Sequence, residues 1–234
     1  MGLSFAIPID VAMDVANQLR ASGKVTRGRI GVGIQEITRD LAESFGLSNT
    51  NGALISSVEK DGPADKAGIQ ASDVILKFDG KAVNSSVDLP RIVAATRPGS
   101  KVAVQLWRKG KLKEVHVTVG EMPGDNLAQR GGKRGGAEPG ITLERLGLTL
   151  SELSDDQKKE LQVDGGLLVE DAHAAAARAG LQRGDVILSL NNEEVRSLDK
   201  FKEVLKDIPK GRNIALLVRR GDGTSYVAIK LDEK

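Results

Sequence analysis

"AGIQASDVIL", residues 67–76, returns as "AGLQRGDVIL", residues 179–188. Seven of the ten letters are identical, Ile69 gives way to the similar Leu181, and the copies lie 112 positions apart. In each copy an Ala-Gly pair ends a short helix, because Gly68 and Gly180 can adopt the left-handed conformation that lets the chain leave. Ile69 and Leu181 cover that helix end. Asp73 and Asp185 then fall in the turn before a strand, where a carboxylate accepts backbone N–H groups. Val74-Ile75-Leu76 and Val186-Ile187-Leu188 are unbroken apolar runs, as in a strand buried on both faces. The decapeptide is scaffold, and its aspartates read as turn acceptors rather than catalytic acids.

The elements around each copy recur in the same order, which makes the repeat a duplicated domain. "GRIGVGI" (28–34) is matched by "ERLGLTL" (144–150), and "SSVDLPRIVAATRPG" by "SLDKFKEVLKDIPKG" (197–211). The second match is helical, pairing Leu89 with Phe201, Ile92 with Val204 and Val93 with Leu205. Each unit closes on a hairpin, around Lys109-Gly110-Lys111 in the first and within 214–231 in the second. Between the units, residues 124–140 hold six Gly and a Pro in 17 positions and almost no apolar side chains. They read as a flexible linker. Ahead of the first unit, "LSFAIPI" (3–9) reads as a strand and "DVAMDVANQLRASG" as a helix ending at Gly23. A lone strand and helix have no core of their own. They are an N-terminal extension or the tail of an upstream domain. The resulting division is 1–26, 27–122 as the first unit, 123–139 as the linker and 140–234 as the second unit.

The totals exclude several functions. With 34 Lys and Arg against 32 Asp and Glu, the net charge of +2 implies neither a nucleic-acid nor a membrane-surface partner. Four Phe, one Tyr and one Trp are too few for base-stacking platforms. The absence of cysteine rules out disulfides, thiol catalysis and thiolate metal sites. The two histidines, His116 and His173, have no ligand partners at metal spacing, so no metal or cofactor is expected. No glycine-rich phosphate loop occurs, and no stretch approaches the roughly 18 apolar residues of a membrane span. The first residues lack the basic start and uninterrupted apolar core of a signal peptide. Either the protein is cytosolic or the chain is a piece of a longer one.

The pattern A-G-[IL]-x-x-[GS]-D-x-I, with Arg29-Ile30-Gly31-Val32 opening the first unit and Arg145-Leu146-Gly147-Leu148 the second, resembles the PDZ-domain signature. Because the loop strand opens each unit, the order resembles the circularly permuted PDZ domains of HtrA-type serine proteases. "GLSFAIPIDVAMDVANQL" followed by "VTRGRIGV" is similar to the end of the protease domain and its junction with the first PDZ domain in the DegP-like branch. The resemblance implies an α+β fold: two PDZ-like domains, each a small, partly open β-barrel with two helices. The family's G-N-S-G-G nucleophile motif is missing, and neither histidine stands in a triad pattern. This chain is therefore expected not to cleave peptide bonds, although its parent would be a serine endopeptidase.

The resemblance also implies the chemistry: capture of a C-terminal carboxylate with addition of the peptide as an extra strand. In the first unit the N–H groups of Ile30, Gly31 and Val32 would form an anion nest, with Arg29, or Arg27 beside it, adding charge. A strand through Val32, Gly33 and Ile34 would offer its edge. Ile30, Val32, Ile34, Leu89, Ile92 and Val93 would line a pocket for a terminal apolar side chain. Burial of such a side chain, at about 1.5–3 kcal/mol, less the cost of ordering the peptide, predicts micromolar affinity. In the second unit the corresponding residues are Arg145, Leu146, Gly147, Leu148, Phe201, Val204 and Leu205. There Glu144 would oppose an incoming carboxylate, so assembly of a homo-oligomer is favoured over peptide binding. The expected partners are hydrophobic C-termini or unfolded segments and the chain's own protease domain, in the periplasm. The alternative is a stand-alone scaffold tethering two protein tails.

Overall fold

The computed structural model describes residues 9–23, 25–122, 141–143, 146–209 and 211–230. Helix α1 (Ile9–Ser22) leads into the first unit, and its Ile9, Met13 and Leu19 are exposed. The strand expected over 3–9 lies almost entirely outside the described residues, as does the linker over 123–139.

In the first unit the elements follow as β1 (Gly28–Arg29), β2 (Val32–Gln35), α2 (Arg39–Ser44), β3 (Ala53–Val58), α3 (Pro63–Lys66) and β4 (Val74–Phe78). Then come β5 (Lys81–Ala82), α4 (Asp88–Ala95), β6 (Lys101–Arg108), β7 (Lys111–Thr118) and β8 (Gly120–Glu121). The second unit runs β9 (Ile141–Leu143), β10 (Leu148–Glu152), α5 (Asp155–Leu161), β11 (Leu167–Ala172), α6 (Ala174–Arg178) and β12 (Val186–Leu190). It closes with β13 (Glu193–Glu194), α7 (Leu198–Lys206), β14 (Asn213–Arg220) and β15 (Gly223–Lys230). Local chemistry sets the ends. Thr38 caps α2, a Ser154–Gln157 capping box starts α5, and Pro63 occupies the first turn of α3. Lys109 and Gly110 both take positive φ in the two-residue turn joining β6 to β7.

The sheets are open, with strand order β2-β3-β4-β6-β7 in the first unit and β15-β14-β12-β11-β10-β9 in the second. Neither sheet closes on itself, so the barrels, expected from the sequence to be partly open, are open in both units. What differs is the chain ahead of the loop strand. In the first unit it forms β1 and pairs with β8, whereas in the second it forms β9 and pairs with β10.

The repeated decapeptide ends in a buried ion pair. Asp73 accepts from the Gln70 amide at 2.8 Å and from Arg108 Nε and Nη2 at 2.6 Å each, while Arg108 Nη2 also reaches the Gly68 carbonyl at 2.7 Å. Asp185 repeats this with the Gln182 amide, Arg220 and the Gly180 carbonyl. Both carboxylates are almost wholly buried, at 0% and 1% exposure, so they require a cation. The hydrogen bond to Asp73 raises the Arg108 pKa above its already high ordinary value. The aspartates are turn acceptors, as the sequence indicates, but their arginine partners, 35 residues downstream in each copy, escape a local reading.

Three apolar cores result. One fills each unit, around Ile55, Ile75, Phe78 and Leu106 in the first and Leu150, Ile187, Phe201 and Leu216 in the second. The third lies between the units: Leu41, Ala42 and Phe45 of the α2 region, with Leu54 and Val74, meet Ala215, Leu217 and Tyr226. This accounts for the unbroken apolar run in β4. Ile75 points into the unit's own core while Val74, its neighbour on the opposite face, points into the shared one. Polar contacts fix the docking. Gln35 donates to the Tyr226 carbonyl at 2.8 Å and accepts from the Tyr226 amide at 2.7 Å. Thr224 donates to the Ser56 carbonyl, and Asn213 donates to Asp40 and Glu43. The Phe45 and Tyr226 rings meet edge to face at 5.2 Å. Burial raises the Tyr226 pKa well above the ordinary tyrosine value, although its hydroxyl bonds Ser72 and Ser189.

Candidate peptide-binding site

β2 pairs with β3 through Val32↔Val58, Gly33↔Ser57, Ile34↔Ile55 and Gln35↔Leu54, with a bulge between Gly33 and Ile34. Among the described residues no strand pairs with its other edge. That edge therefore presents main-chain donors and acceptors to an incoming chain. Val32 and Ile34 share one face of β2, and with Ile92 of α4 they are half-buried against the cluster holding Ile30, Leu89 and Val93. The six residues expected to line a pocket thus belong to one apolar cluster, three of them buried and three half-covered. Gly28, singled out by no sequence argument, allows α4 to approach β1: a Cβ there would stand 2.2 Å from the Val93 carbonyl oxygen.

The loop before β2 turns at Gly31, with φ +73°. Its carbonyls are used inside the protein, Ile30 accepting from the Ala64 amide and Gly31 from the Glu59 amide, both at 2.9 Å. Among the described residues, no backbone carbonyl accepts from the Ile30 or Gly31 amide. These are two of the three amides, Ile30, Gly31 and Val32, from which the sequence leads one to expect a nest. Arg29 departs from expectation. Its guanidinium forms an ion pair with Glu59, whose carboxylate lies against Gly31, within 2.6 Å of where a Cβ would be. Arg29 neutralises an acid at the loop instead of standing free for a ligand. Glu59 is a site residue that the sequence did not reveal, because nothing local ties it to a loop 28 positions earlier.

The second unit is built differently at the same place. Leu146, Leu148, Leu150, Phe201, Val204 and Leu205 do converge, but all are buried, from 0% exposure at the first four to 8% at Val204. Gly147 turns the loop with φ +68°, and a Cβ there would meet the His173 carbonyl oxygen at 2.2 Å. The outer edge of β10 is taken by β9 in the register Leu148↔Leu143, Thr149↔Thr142 and Leu150↔Ile141. Arg145 and Glu144 lie outside the described residues. Two concavities of about 290 and 360 Å³ occur elsewhere, one beside α7 at Lys200, Glu203 and Asp207, the other at the seam of the units between Phe45 and Asn191. Neither belongs to the β2 edge. Among the described residues no cluster of metal-ligating side chains occurs.

Two family models match, each described as PDZ domain, over residues 28–119 and 168–220. The whole chain also aligns with proteins named probable periplasmic serine endoprotease DegP-like. It is 45% identical over 236 residues to the one from Pseudomonas putida strain W619 and 47% identical over 236 residues to the one from Pseudomonas fulva strain 12-X. The chain belongs to the DegP-like HtrA proteins and carries their PDZ domains. It spans about half the length of these relatives, 49% of each. Among solved structures, the HtrA-type protease AlgW with decapeptide is 35% identical, covering 51% of this chain and 37% of that one at a TM-score of 0.46. A serine endoprotease from Yersinia pestis is 33% identical, covering 52% of this chain and 39% of that one at a TM-score of 0.41. In this HtrA chain, membership of a serine endopeptidase family meets two PDZ units whose candidate binding edges are in opposite states. No described helix is long and apolar enough to cross a membrane.

Proposed function

We propose that the first PDZ unit binds proteins ending in an apolar residue, with the terminal carboxylate on the Ile30 and Gly31 amides and the preceding residues paired along β2. The observation that carries this reading is the unpaired β2 edge beside Val32, Ile34 and Ile92, which are only half-covered. A strand added there gains main-chain hydrogen bonds at about 0.5–1.5 kcal/mol each and buries one apolar side chain. Ordering the peptide opposes both, leaving an affinity in the micromolar range. Such binding is tolerant of sequence beyond the last residue, which suits exposed ends of misfolded chains. In the longer protein the captured end would be passed to the protease domain, and the naming of the relatives as periplasmic supports a periplasmic setting for it. The second unit serves packing. Its β14–β15 face is already committed to the first unit, and a part in oligomer assembly would add to that role. The test is titration of the chain with a hydrophobic-ended peptide and its C-terminally amidated twin. Amidation is expected to cost at least about tenfold in affinity, about 1.4 kcal/mol. Equal binding of the two peptides would refute carboxylate capture.

A further inference from the structure

The segment ahead of the second loop lies where a ligand would lie. A peptide added to a PDZ edge strand runs antiparallel to it and brings its last residue to the loop amides. β9 runs antiparallel to β10 and ends at Leu143 beside the loop. The Leu143 carbonyl oxygen accepts from the Leu146 amide at 3.1 Å and the Gly147 amide at 3.0 Å. Leu146 and Gly147 are the counterparts of Ile30 and Gly31 in the first unit, whose amides have no backbone acceptor among the described residues. The Leu143 side chain is half-buried and packs against the second unit's core. Coverage of the slot differs accordingly. Val32, Ile34 and Ile92 are half-exposed in the first unit, whereas their counterparts Leu148, Leu150 and Val204 are buried.

We propose that Ile141–Leu143 is an internal ligand of the second PDZ unit. Its main-chain carbonyl takes the place of a terminal carboxylate, so the groove opens to an outside C-terminus only when β9 leaves. The inference extends the carboxylate-capture reading from the first loop to the second. A peptide and β9 then compete for one edge. The groove's own occupant indicates what displaces it: a chain ending in a free leucine carboxylate, which adds the negative charge that the Leu143 carbonyl lacks. Apparent affinity for the outside peptide is reduced by the fraction of molecules in which β9 is detached.

The experiment is isothermal titration of the intact chain with a hexapeptide ending in Ile-Thr-Leu-COOH and with its amidated form, counting sites. Leu143→Asp removes the apolar plug and is expected to add one carboxylate-dependent site per chain, or to tighten a weak second site at least about tenfold. Thr142→Cys with Thr149→Cys joins residues paired directly across the two strands, in a protein with no other cysteine. Such pairs have the spacing a disulfide needs. Oxidised, this variant is expected to lose any second site while leaving the first unchanged, and reduction restores it. The difference in site number tests β9 whatever the first groove does, so failure there and failure here are separate results. A wild-type chain that already shows two equal sites, or a folded Leu143→Asp chain that gains none, would overturn the proposal. Should that variant unfold the second unit, Leu143→Ser is read in the same way. Amide hydrogen exchange on the wild type needs no variant. Leu146 and Gly147 are expected to exchange more slowly than Ile30 and Gly31 until the peptide is added, and equal rates would contradict self-occupancy.

Discussion

The two loop strands of this chain descend from one pattern and end in opposite states. β2 has a bare outer edge, and the residues beside it are half-covered. β10 has β9 on that edge, and the corresponding residues are sealed. The difference does not lie at the turn glycines, since Gly31 and Gly147 have nearly the same φ of +73° and +68°. It lies in where the preceding residues go. Arg27, Gly28 and Arg29 are drawn to the closing strand of their own unit, with the Met122 amide donating to the Arg27 carbonyl at 3.0 Å. Ile141–Leu143 fold back on the edge instead. A repeated motif thus specifies a scaffold and leaves access to be decided by the few residues that enter it.

The largest effects are expected at the feature the two units share most closely, the buried aspartate–arginine pair. Asp73→Ala strands the Arg108 guanidinium, whose side chain is 16% exposed, and is expected to cost about 3–5 kcal/mol. Asp185→Ala strands Arg220, which at 54% exposure can turn to water, and should cost clearly less. Chemical denaturation of the two variants checks this, and equal losses would show the pins to be equivalent. Next in size is Leu54→Ala, which empties part of the core between the units and should cost about 2–5 kcal/mol. Calorimetry is expected to show one cooperative transition in the wild type and two in the variant, because Leu54 belongs to the shared core and not to that of its own unit.

Smaller effects sharpen the contrast at the first groove. Arg29→Gln leaves Glu59 unneutralised against Gly31 and should weaken binding of a carboxylate-ended peptide about 2–5-fold, while Glu59→Gln should strengthen it by a similar factor. The amidated peptide should respond to neither, and both effects should shrink in high salt. The smallest concerns the seam at alkaline pH. Tyr226 is held neutral by burial, so its pKa is raised in the folded state. The stability this contributes is fully present below the unfolded tyrosine pKa of about 10 and is lost as pH rises beyond it. Unfolding midpoints measured from pH 9 upward should fall in the wild type and fall less in Tyr226→Phe.

Much of this was legible in the chain. The duplicated decapeptide exposes the two-unit architecture, and Gly68 and Gly180 mark where its short helices end. Helical spacing correctly groups Leu89, Ile92 and Val93 with one another, and Phe201 with Val204 and Leu205. The arginines that hold Asp73 and Asp185 were open to a longer comparison, since Arg108 and Arg220 keep the same 112-residue offset as the decapeptides. Less could be read where partners are distant. Glu59 meets Arg29 across the loop, and Gln35 meets Tyr226 over 191 positions. β9 is three residues of ordinary strand propensity beside a glycine-rich stretch, too short to carry a period of its own.

What the sequence determined unaided was the pair of scaffolds, because helix ends, turns and strand periodicity are local, and a duplicated pattern of them can be recognised twice. The tertiary structure alone decided which edge is open, how Arg29 is neutralised and how the units dock. Each of these depends on hydrogen bonds and apolar faces that find partners far along the chain, and an edge strand's own residues do not record whether another strand lies beside it.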